Sequence, residues 1–347
     1  MPHYNISLIG FGNVARALAR LLERKRELLK SQYGITYSIT GIATGRHGYA
    51  VNPDGFDVNK ALELVESQQS ISALNNYHLP ITTSSSVIEH SAAHIMFENS
   101  PVNHHTGQPA MDHVRAALEA GQHVITANKG TVVHGYRELT ALAESKGRKF
   151  LFESTVLGGA PLFSVIRETF PLAELHSFKG ILNATTNLIL SRMEDGESFD
   201  EAVKYCQSIG IAETDPSADV DGWDAAIKVA ALVTVLMGVP FTVGDVERKG
   251  IREITPAMLE QAKGRGKRYK LVCSAERTGD KVKARVTPEL VDSSSPLHGI
   301  MNSSSGVTFR TDVLPDYSIM VTEREGMQGG PIETAYGLFA DFISLVG

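Results

Sequence analysis

The chain has 347 residues, 42% hydrophobic and 21% charged, a composition typical of a globular protein with a large buried core. Its 33 basic and 39 acidic residues give a net charge of −6, and the basic residues are scattered apart from short clusters at 24–26 and 263–270. This pattern argues against a nucleic-acid-binding protein, and the absence of any uncharged apolar run of about 18 residues argues against a membrane span.

The length and the cysteine content narrow the class further. The length allows two domains. The only cysteines, Cys206 and Cys273, are too few for a disulfide framework and favour a reducing compartment. Residues 1–30 begin with a strand-like run and lack the pattern of a signal peptide. We therefore expect a cytoplasmic protein with a small-molecule ligand and neither a nucleic-acid nor a membrane partner.

The first 150 residues alternate between strand and helix patterns. The predicted strands are 6–9, 35–43, 95–98 and 123–126, and the predicted helices are 13–30, 61–65, 111–120 and 136–146. Such alternation predicts an α/β fold with a Rossmann-type, doubly wound parallel sheet and helices on both faces. We expect a dinucleotide-binding domain at 1–150.

A glycine-rich sequence, GFGNVA, connects the first predicted strand to the first predicted helix. In this position Gly10 would turn the chain and Gly12 would let the backbone approach a pyrophosphate. Asn13 and Val14 would then offer backbone N–H groups at the start of the helix, and the small Ala15 would let that helix pack on the strand. The sequence predicts a dinucleotide site rather than a simple tight turn.

The end of the second predicted strand indicates which dinucleotide is bound. An NAD site usually has an acidic residue there, whereas this chain has Thr44 followed by Arg46. An arginine suits the 2′-phosphate of NADP, although Arg46 could also be a solvated loop residue, and Lys60 is a weaker second cation. We predict NADP, with NAD as the alternative.

Two further predicted strands of this domain also end in polar residues. Ser100 follows strand 95–98, and Lys129 follows strand 123–126 within the sequence TANKG. Ligands of open α/β sheets bind outside the carboxyl ends of the strands. Ser100 is therefore a candidate cofactor ligand, and Lys129 is a candidate contact to both cofactor and substrate, unless it is an ordinary surface lysine.

The pattern changes after Phe150. Strand-like runs at 177–182, 270–275 and 281–286 predict an α+β domain with antiparallel strands, which we place at 151–320. Glycine-rich joints stand at 157–161 and 326–330, and the apolar helical pattern at 332–346 predicts that 321–347 returns to the first domain.

Two polar segments of this second part are candidate ligand sites. In ESTVLGGA, Glu153 precedes glycine-loosened backbone carbonyls that could hold a cation, although a hinge is the simpler interpretation. In GILNATTN, at 180–187, hydroxyl and amide groups could bind a small polar ligand or could cap the helix that follows.

The most unusual segment is 210–238, in which a row of acidic residues precedes an apolar helix. The residues between Ala225 and Met237 are apolar except for Lys228 and Thr234, so the pattern predicts a buried helix. The preceding carboxylates are those of Glu213, Asp215, Asp219, Asp221 and Asp224. Asp224 stands four residues before Lys228, which predicts an ion pair on one helix face. The pair is either structural or part of a proton-transfer site.

In order along the chain, these segments resemble those of homoserine dehydrogenases. They are the glycine fingerprint at 10–15, TGQPA at 106–110, TANKG at 126–130, ESTVLGGAP at 153–161, GILNATTN at 180–187, AETDPSADVDGWDAAIKVA at 212–230 and GGPIETA at 329–335. The resemblance implies the reversible, NAD(P)-dependent interconversion of L-homoserine and L-aspartate 4-semialdehyde in threonine and methionine biosynthesis. It also implies a homodimer.

The resemblance assigns roles to single residues. Lys228 matches the acid/base lysine of the family, Asp224 its carboxylate partner, and Lys129 a second lysine of the active site. Glu213, Thr185 and Asp219 match substrate-contacting positions. A sodium or potassium site is implied at Glu153 and the carbonyls of Val156, Gly158 and Ala160.

The chain departs from the family at two positions. Ala184 stands where glycine is common and Ile211 where many members have tyrosine, so no tyrosine contact to substrate is expected at 211. Because the sequence stops at Gly347, we expect neither a regulatory ACT domain nor a fused aspartate kinase, and no threonine feedback through such a domain.

Two other functions remain as alternatives. A semialdehyde dehydrogenase acting through a thiol would need a nucleophilic cysteine with a histidine base, but Cys206 falls within a predicted helix and Cys273 within a strand-like run. A non-catalytic NADP-binding sensor would have no need for the set formed by Lys228, Asp224, Glu213 and Lys129.

Overall fold

The computed structural model describes residues 1–322 and 330–347, which form two compact units. The first unit comprises residues 1–158 and 331–347, and the second comprises residues 159–330. Residues 326–329 of the expected glycine-rich joint, and the first residue of the GGPIETA segment, lie outside the described residues. Among the described residues, no helix combines the length and the hydropathy that a bilayer span requires.

The first unit is built on a single sheet. Its strands are β1 (His3–Ile9), β2 (Thr36–Thr44), β3 (Gly48–Val51), β4 (Ile95–Glu98), β5 (His123–Thr126) and β6 (Phe150–Leu151). They lie in the order β3-β2-β1-β4-β5-β6, and all neighbours are parallel except β2 and β3. The predicted Rossmann-type sheet is confirmed, with one addition. The sequence pattern did not predict the edge strand β3, because four residues after a tight turn are too few to show a period.

Helices cover both faces of this sheet, as the fold prediction requires. They are α1 (Asn13–Gln32), α2 (Val58–Glu66), α3 (Ser84–His90), α4 (Ala110–Glu119) and α5 (Lys129–Ser145). Leu8 and Phe97 belong to the core on the α1 face, whereas Met96 and Val124 belong to the core on the opposite face. Apolar side chains on both sides of a strand are expected in a buried parallel sheet.

Helix α5 begins seven residues before the predicted start at Tyr136. The side chain of Asn128 accepts a hydrogen bond from the backbone N–H of Gly130 (3.0 Å) and caps the helix. Lys129 is therefore the first residue of a helix and does not continue β5.

The second unit is an α+β structure. Its helices are α6 (Phe163–Thr169), α7 (Ala184–Glu194), α8 (Phe199–Ser208), α9 (Ser217–Val220), α10 (Trp223–Leu236) and α11 (Pro256–Lys263). Its strands are β7 (Leu175–Ile181), β8 (Val246–Arg248), β9 (Lys267–Thr278), β10 (Lys281–Asp292), β11 (Ser305–Thr311) and β12 (Tyr317–Val321). The sheet order is β12-β11-β7-β9-β10-β8, and every neighbouring pair is antiparallel except β10 with β8.

The last helix, α12 (Pro331–Val346), belongs to the first unit and packs against α1. Ala335, Leu338 and Phe342 are fully buried in the core on the α1 face of the sheet. The first core is thus completed by residues from both ends of the chain.

Candidate active site

The glycine-rich loop of the first unit has the geometry expected of a dinucleotide site. Gly10 has a φ of +87°, and a Cβ there would lie 2.4 Å from the carbonyl carbon of Asn99, so no other residue fits. By contrast, a Cβ on Gly12 would meet nothing within 4 Å. The backbone at Gly12 therefore has open space beside it, which a pyrophosphate would need.

The N-terminus of the helix that follows this loop is suited to bind an anion. Gly12 is the N-cap of α1 and supplies no side-chain cap, and the first turn contains no acidic residue. The backbone N–H groups at the start of the helix, at Asn13 and Val14, therefore remain for a ligand, and the helix dipole favours a negative charge there. Ala15 is fully buried, as close packing of helix on strand requires. These residues fit a bound dinucleotide.

At the end of β2 the chain turns without presenting a carboxylate. The hydroxyl of Thr44 accepts a hydrogen bond from the backbone N–H of His47 (2.6 Å), which closes a turn with Arg46 exposed at its tip. Lys60 is exposed near the start of α2. An exposed guanidinium suits a phosphate better than a ribose diol.

The loops after β4 and β5 are tied together by buried hydrogen bonds. Asn128, the N-cap of α5, donates from Nδ2 to the carbonyl oxygen of Ser100 (3.0 Å). The fully buried carboxylate of Glu98 accepts hydrogen bonds from the amide and the hydroxyl of Ser100 and is 3.3 Å from Nδ1 of His113. These contacts bring Ser100 and Lys129 to the same edge of the sheet. Sequence reasoning missed Glu98, because a charged residue within a strand gives no periodic signal.

The residues of the expected cation site are distributed over both units. Glu153 is buried at the start of a short 3₁₀ turn, and its backbone N–H donates to a carboxylate oxygen of Asp341 on α12 (2.9 Å). Val156 and Gly158 also belong to the first unit, whereas Ala160 belongs to the second. No group of three or more His, Cys, Asp or Glu side chains able to hold a metal occurs in the described part of the chain.

In the second unit, Lys228 lies where the sequence predicts. Residues 225–227 and 229–234 of α10 are buried, and the Nζ of Lys228 is 2.8 Å from Oδ2 of Asp224. The lysine and aspartate side chains are 14% and 19% exposed, so the pair is largely but not completely buried. Nζ also donates to the carbonyl oxygen of Leu182 at the end of β7 (2.8 Å). The predicted ion pair is confirmed.

A second carboxylate stands beside this pair. Nδ2 of Asn183 donates to Oδ1 of Asp219 (2.6 Å) and to Oδ2 of Asp224 (3.0 Å). Burial and the nearby charge of Asp224 raise the pKa of Asp219 to about 6, against the opposing effect of Asn183 and Lys228. The sequence indicated Asn183 only as one of several polar residues of GILNATTN that could bind a ligand or cap the helix.

The remaining substrate candidates of this unit are placed differently. Thr185, near the start of α7, donates from its hydroxyl to the carbonyl oxygen of Ile211 (3.5 Å), and the same hydroxyl acts to lower the pKa of Asp219. Glu213 is exposed in the turn between α8 and α9, whose backbone carbonyls at 213 and 214 accept hydrogen bonds from Gln207. The structure thus brings Thr185 and Asp219 to Lys228 but leaves the Glu213 carboxylate outside their hydrogen-bonded cluster.

Neither cysteine has the properties of a nucleophile. Burial raises the pKa of Cys206, within α8, to about 11 and the pKa of Cys273, within β9, to about 12. A thiol that stays protonated at neutral pH is a poor nucleophile. This observation disfavours a thiol-dependent semialdehyde dehydrogenase.

Comparison with protein families agrees with these sites. A model of the homoserine dehydrogenase family matches residues 161–343. A model of the NAD-binding domain of homoserine dehydrogenase matches residues 10–153. The two matches cover the substrate candidates and the glycine-rich loop, respectively.

Individual relatives cover nearly the whole chain. The NAD(+)-dependent homoserine dehydrogenase of Pseudomonas canavaninivorans is 34% identical and covers 99% of this chain and 97% of its own length. The homoserine dehydrogenase of Methanocaldococcus jannaschii is 36% identical and covers 98% of each chain. Among solved structures, a hyperthermophilic archaeal homoserine dehydrogenase in complex with NADPH superimposes with a TM-score of 0.80 at 30% identity, covering 99% of this chain and 97% of its own.

Proposed function

The chain belongs to the homoserine dehydrogenase family of oxidoreductases, and we propose that its substrate site is the cluster around Lys228 in the second unit. The reaction converts the primary alcohol of L-homoserine into the aldehyde of L-aspartate 4-semialdehyde, and it is reversible. A bound nicotinamide supplies or takes up the hydride. The chain must then bind the substrate, orient it and move one proton.

Lys228 is the candidate proton carrier. An ammonium has three hydrogens, and the structure commits two of them to Asp224 and to the carbonyl oxygen of Leu182. The third is free to point at the oxygen of the substrate. In the reduction direction Lys228 would donate this proton to the carbonyl oxygen, and in the oxidation direction neutral Lys228 would accept the hydroxyl proton. This geometry is the observation that carries the proposal.

The charged end of homoserine needs separate ligands. Asp219 offers a carboxylate inside the cluster, Thr185 offers a hydroxyl beside it, and Glu213 offers a second carboxylate from the neighbouring turn. We propose that Asp219 and Glu213 receive the substrate ammonium. Glu213 would have to turn toward the cluster when substrate binds. Lys129, at the start of α5 in the first unit, is a second catalytic candidate beside the cofactor.

NADP is the preferred cofactor in this proposal. Gly10, Gly12 and the N–H groups at Asn13 and Val14 would hold the pyrophosphate, while Thr44 and Arg46 would lie at the 2′-phosphate. One relative is named as NAD(+)-dependent and one similar structure contains NADPH, so relatives differ in this property. The exposed Arg46 and the carboxylate-free end of β2 favour NADP here.

Three further features belong to the proposal. We infer a monovalent cation, sodium or potassium, held by the buried Glu153 and the carbonyls of Val156, Gly158 and Ala160. We infer a homodimer, because the edge strand β12 exposes Tyr317 and Met320. We place the reaction in threonine and methionine biosynthesis.

A spectrophotometric assay tests the function and the cofactor preference together. NADPH should form from homoserine and NADP, more efficiently than NADH forms from NAD. Arg46→Ala should raise KM for NADP about 10- to 100-fold, as expected for loss of a charge-assisted phosphate contact, and should leave KM for NAD unchanged. Arg24→Ala, which removes an exposed cation of α1, serves as the control. If homoserine does not reduce NADP faster than the background rate, the proposed dehydrogenase function is wrong. If NAD and NADP are used equally well, the proposed preference for NADP is wrong.

A further inference from the structure

Asn183, in the second unit, makes more side-chain hydrogen bonds than a helix cap requires. It is the N-cap of α7, and only 3% of it is exposed. Its Oδ1 accepts from the backbone N–H of Thr186 (2.8 Å) and from the hydroxyl of the same residue (2.9 Å). These two donors fix the orientation of the amide, because only the carbonyl oxygen of the side chain can accept them.

With Oδ1 fixed, the amide nitrogen faces two carboxylates. One of its hydrogens goes to Asp219 and the other to Asp224, so both donors of the side chain are used. A helix cap needs only the oxygen, and a serine, threonine or aspartate would serve equally well. The amide nitrogen is what distinguishes asparagine from those alternatives.

The Asn183 amide reduces the electrostatic cost of placing two carboxylates next to each other. Like charges at short range raise each other's pKa, and hydrogen bonds to the charged form oppose that effect. The groups around Asp219 are Asn183 at the N-cap of α7, Thr185 on α7, Asp224 and Lys228 on α10, and the uncharged thiol of Cys206 on α8. Asn183 and Thr185 are therefore the neutral donors, and Lys228 is the one cation among these groups.

The residue before Asn183, Leu182, contacts the lysine of the Lys228–Asp224 ion pair. The carbonyl oxygen of Leu182 accepts from Lys228, while the next residue, Asn183, donates to its partner Asp224. The two consecutive residues after β7 thus fix both ends of the ion pair. Asp224 receives Lys228 and Asn183 on the same oxygen, Oδ2.

We propose that Asn183 is a positioning residue for the reaction, whose amide bridges Asp219 and Asp224 and holds the two carboxylates side by side. One carboxylate is then available for the substrate ammonium while the other holds Lys228. This inference rests on the proposed function, because it assigns the two carboxylates to substrate binding and to the proton carrier. Asn183 itself acts only through these neighbours.

The decisive variant is Asn183→Ser, which keeps the cap and removes the amide. Loss of a donor raises the pKa of Asp219, so the acid limb of kcat/KM for homoserine should move from near pH 6 to higher pH. At pH 7 kcat/KM for homoserine should fall at least tenfold, while KM for NADP stays unchanged. Asn183→Asp also keeps the cap but adds a third carboxylate, and it should give a larger fall and a larger pH shift.

Two measurements separate this role from capping and from the proposed function. Ser198→Ala removes the cap of α8 in the same unit, and it should lower stability without moving the acid limb. Carbon-13 NMR of labelled aspartate carboxyls, with the Asp219 signal assigned from Asp219→Asn, measures the pKa of Asp219 without any assay. A higher pKa of Asp219 in Asn183→Ser supports the bridging role whether or not the wild-type chain oxidises homoserine. A wild-type chain without homoserine activity would overturn the proposed function instead. An unchanged pKa, or an unchanged acid limb in an active enzyme, would reduce Asn183 to a helix cap.

Discussion

Lys228 illustrates how neighbouring residues decide what one side chain can do. The sequence leaves two interpretations, a structural ion pair or a proton carrier. The structure adds the carbonyl of Leu182 and the second carboxylate, Asp219, neither of which a simple ion pair requires. A lysine with two fixed acceptors and one remaining hydrogen is suited to proton transfer at that one position.

Lys228→Met should therefore lower kcat by about 10²- to 10⁴-fold, the usual contribution of a positioned acid or base. The methionine keeps the length of the side chain and most of its packing. NADPH binding, measured by fluorescence titration, should be unchanged, because the glycine-rich loop lies in the first unit. Lys179→Met is the matched control, since this exposed lysine on β7 makes only a surface ion pair with Glu289. A Lys228→Met enzyme with near-normal turnover would return Lys228 to a structural role.

At the scale of elements, a buried lysine of β9, Lys270, contacts α7 and has no part in the proposed mechanism. Lys270 is 1% exposed, and its Nζ donates to Oδ1 of Asn187 (2.8 Å) and to the carbonyl oxygen of Ile300 (2.5 Å). Nδ2 of Asn187 donates to backbone carbonyls of the loop at 300–304. Burial lowers the pKa of Lys270 to about 8. This network connects a strand, a helix and a loop in one place.

Because of Lys270, the free energy of unfolding should vary with pH in the alkaline range. Its pKa is about 8 in the folded state and 10.5 when unperturbed, so between these values the unfolded state binds more protons. The free energy of unfolding should thus gain a contribution that rises from pH 8 to pH 10.5. Lys270→Met should remove that rise, whereas Lys283→Met, at an exposed position of the adjacent strand β10, should retain it. Chemical denaturation at several pH values measures the difference, and parallel curves for wild type and Lys270→Met would contradict the prediction.

For the whole molecule, the two units differ in how the chain builds them. The second is continuous in sequence, whereas the first needs α12 from the far end of the chain. Phe342 of this helix is fully buried and has aromatic contacts with Tyr4 and Phe97. The dinucleotide-binding unit is therefore complete only when residues 331–347 have joined residues 1–158.

Phe342→Ala should destabilise the first unit by about 3–5 kcal/mol, the usual cost of deleting a buried phenylalanine side chain. Tyr336→Ala, on the same helix but 55% exposed, should cost far less. Hydrogen exchange should then increase in 1–158 and remain unchanged in 159–322. A uniform loss of protection in both units would show that they unfold as one.

The sequence by itself determined the features that are local in the chain. Asp224 and Lys228 are four residues apart on one helix, and the glycine-rich loop joins a strand directly to the helix that follows it. In both cases helix or turn geometry fixes the contact once the element forms. The apolar pattern of α10 and the strand–helix alternation were readable for the same reason. The start of α5 was not, because a cap depends on a side-chain hydrogen bond and hydrophobic periodicity does not report it.

Only the tertiary structure decided which distant groups join these local features. Leu182 and Asn183 reach Lys228 and Asp224 from more than forty residues away. Their place follows from the pairing of β7 with β9 and from the packing of α10 against β9 and β10, which no pattern in the sequence specifies. The pKa of Asp219 depends on burial and on charges from several elements, and Lys270 is buried by a loop thirty residues further on. Local geometry can be read from spacing, but desolvation and the pairing of distant polar groups exist only once the chain has folded.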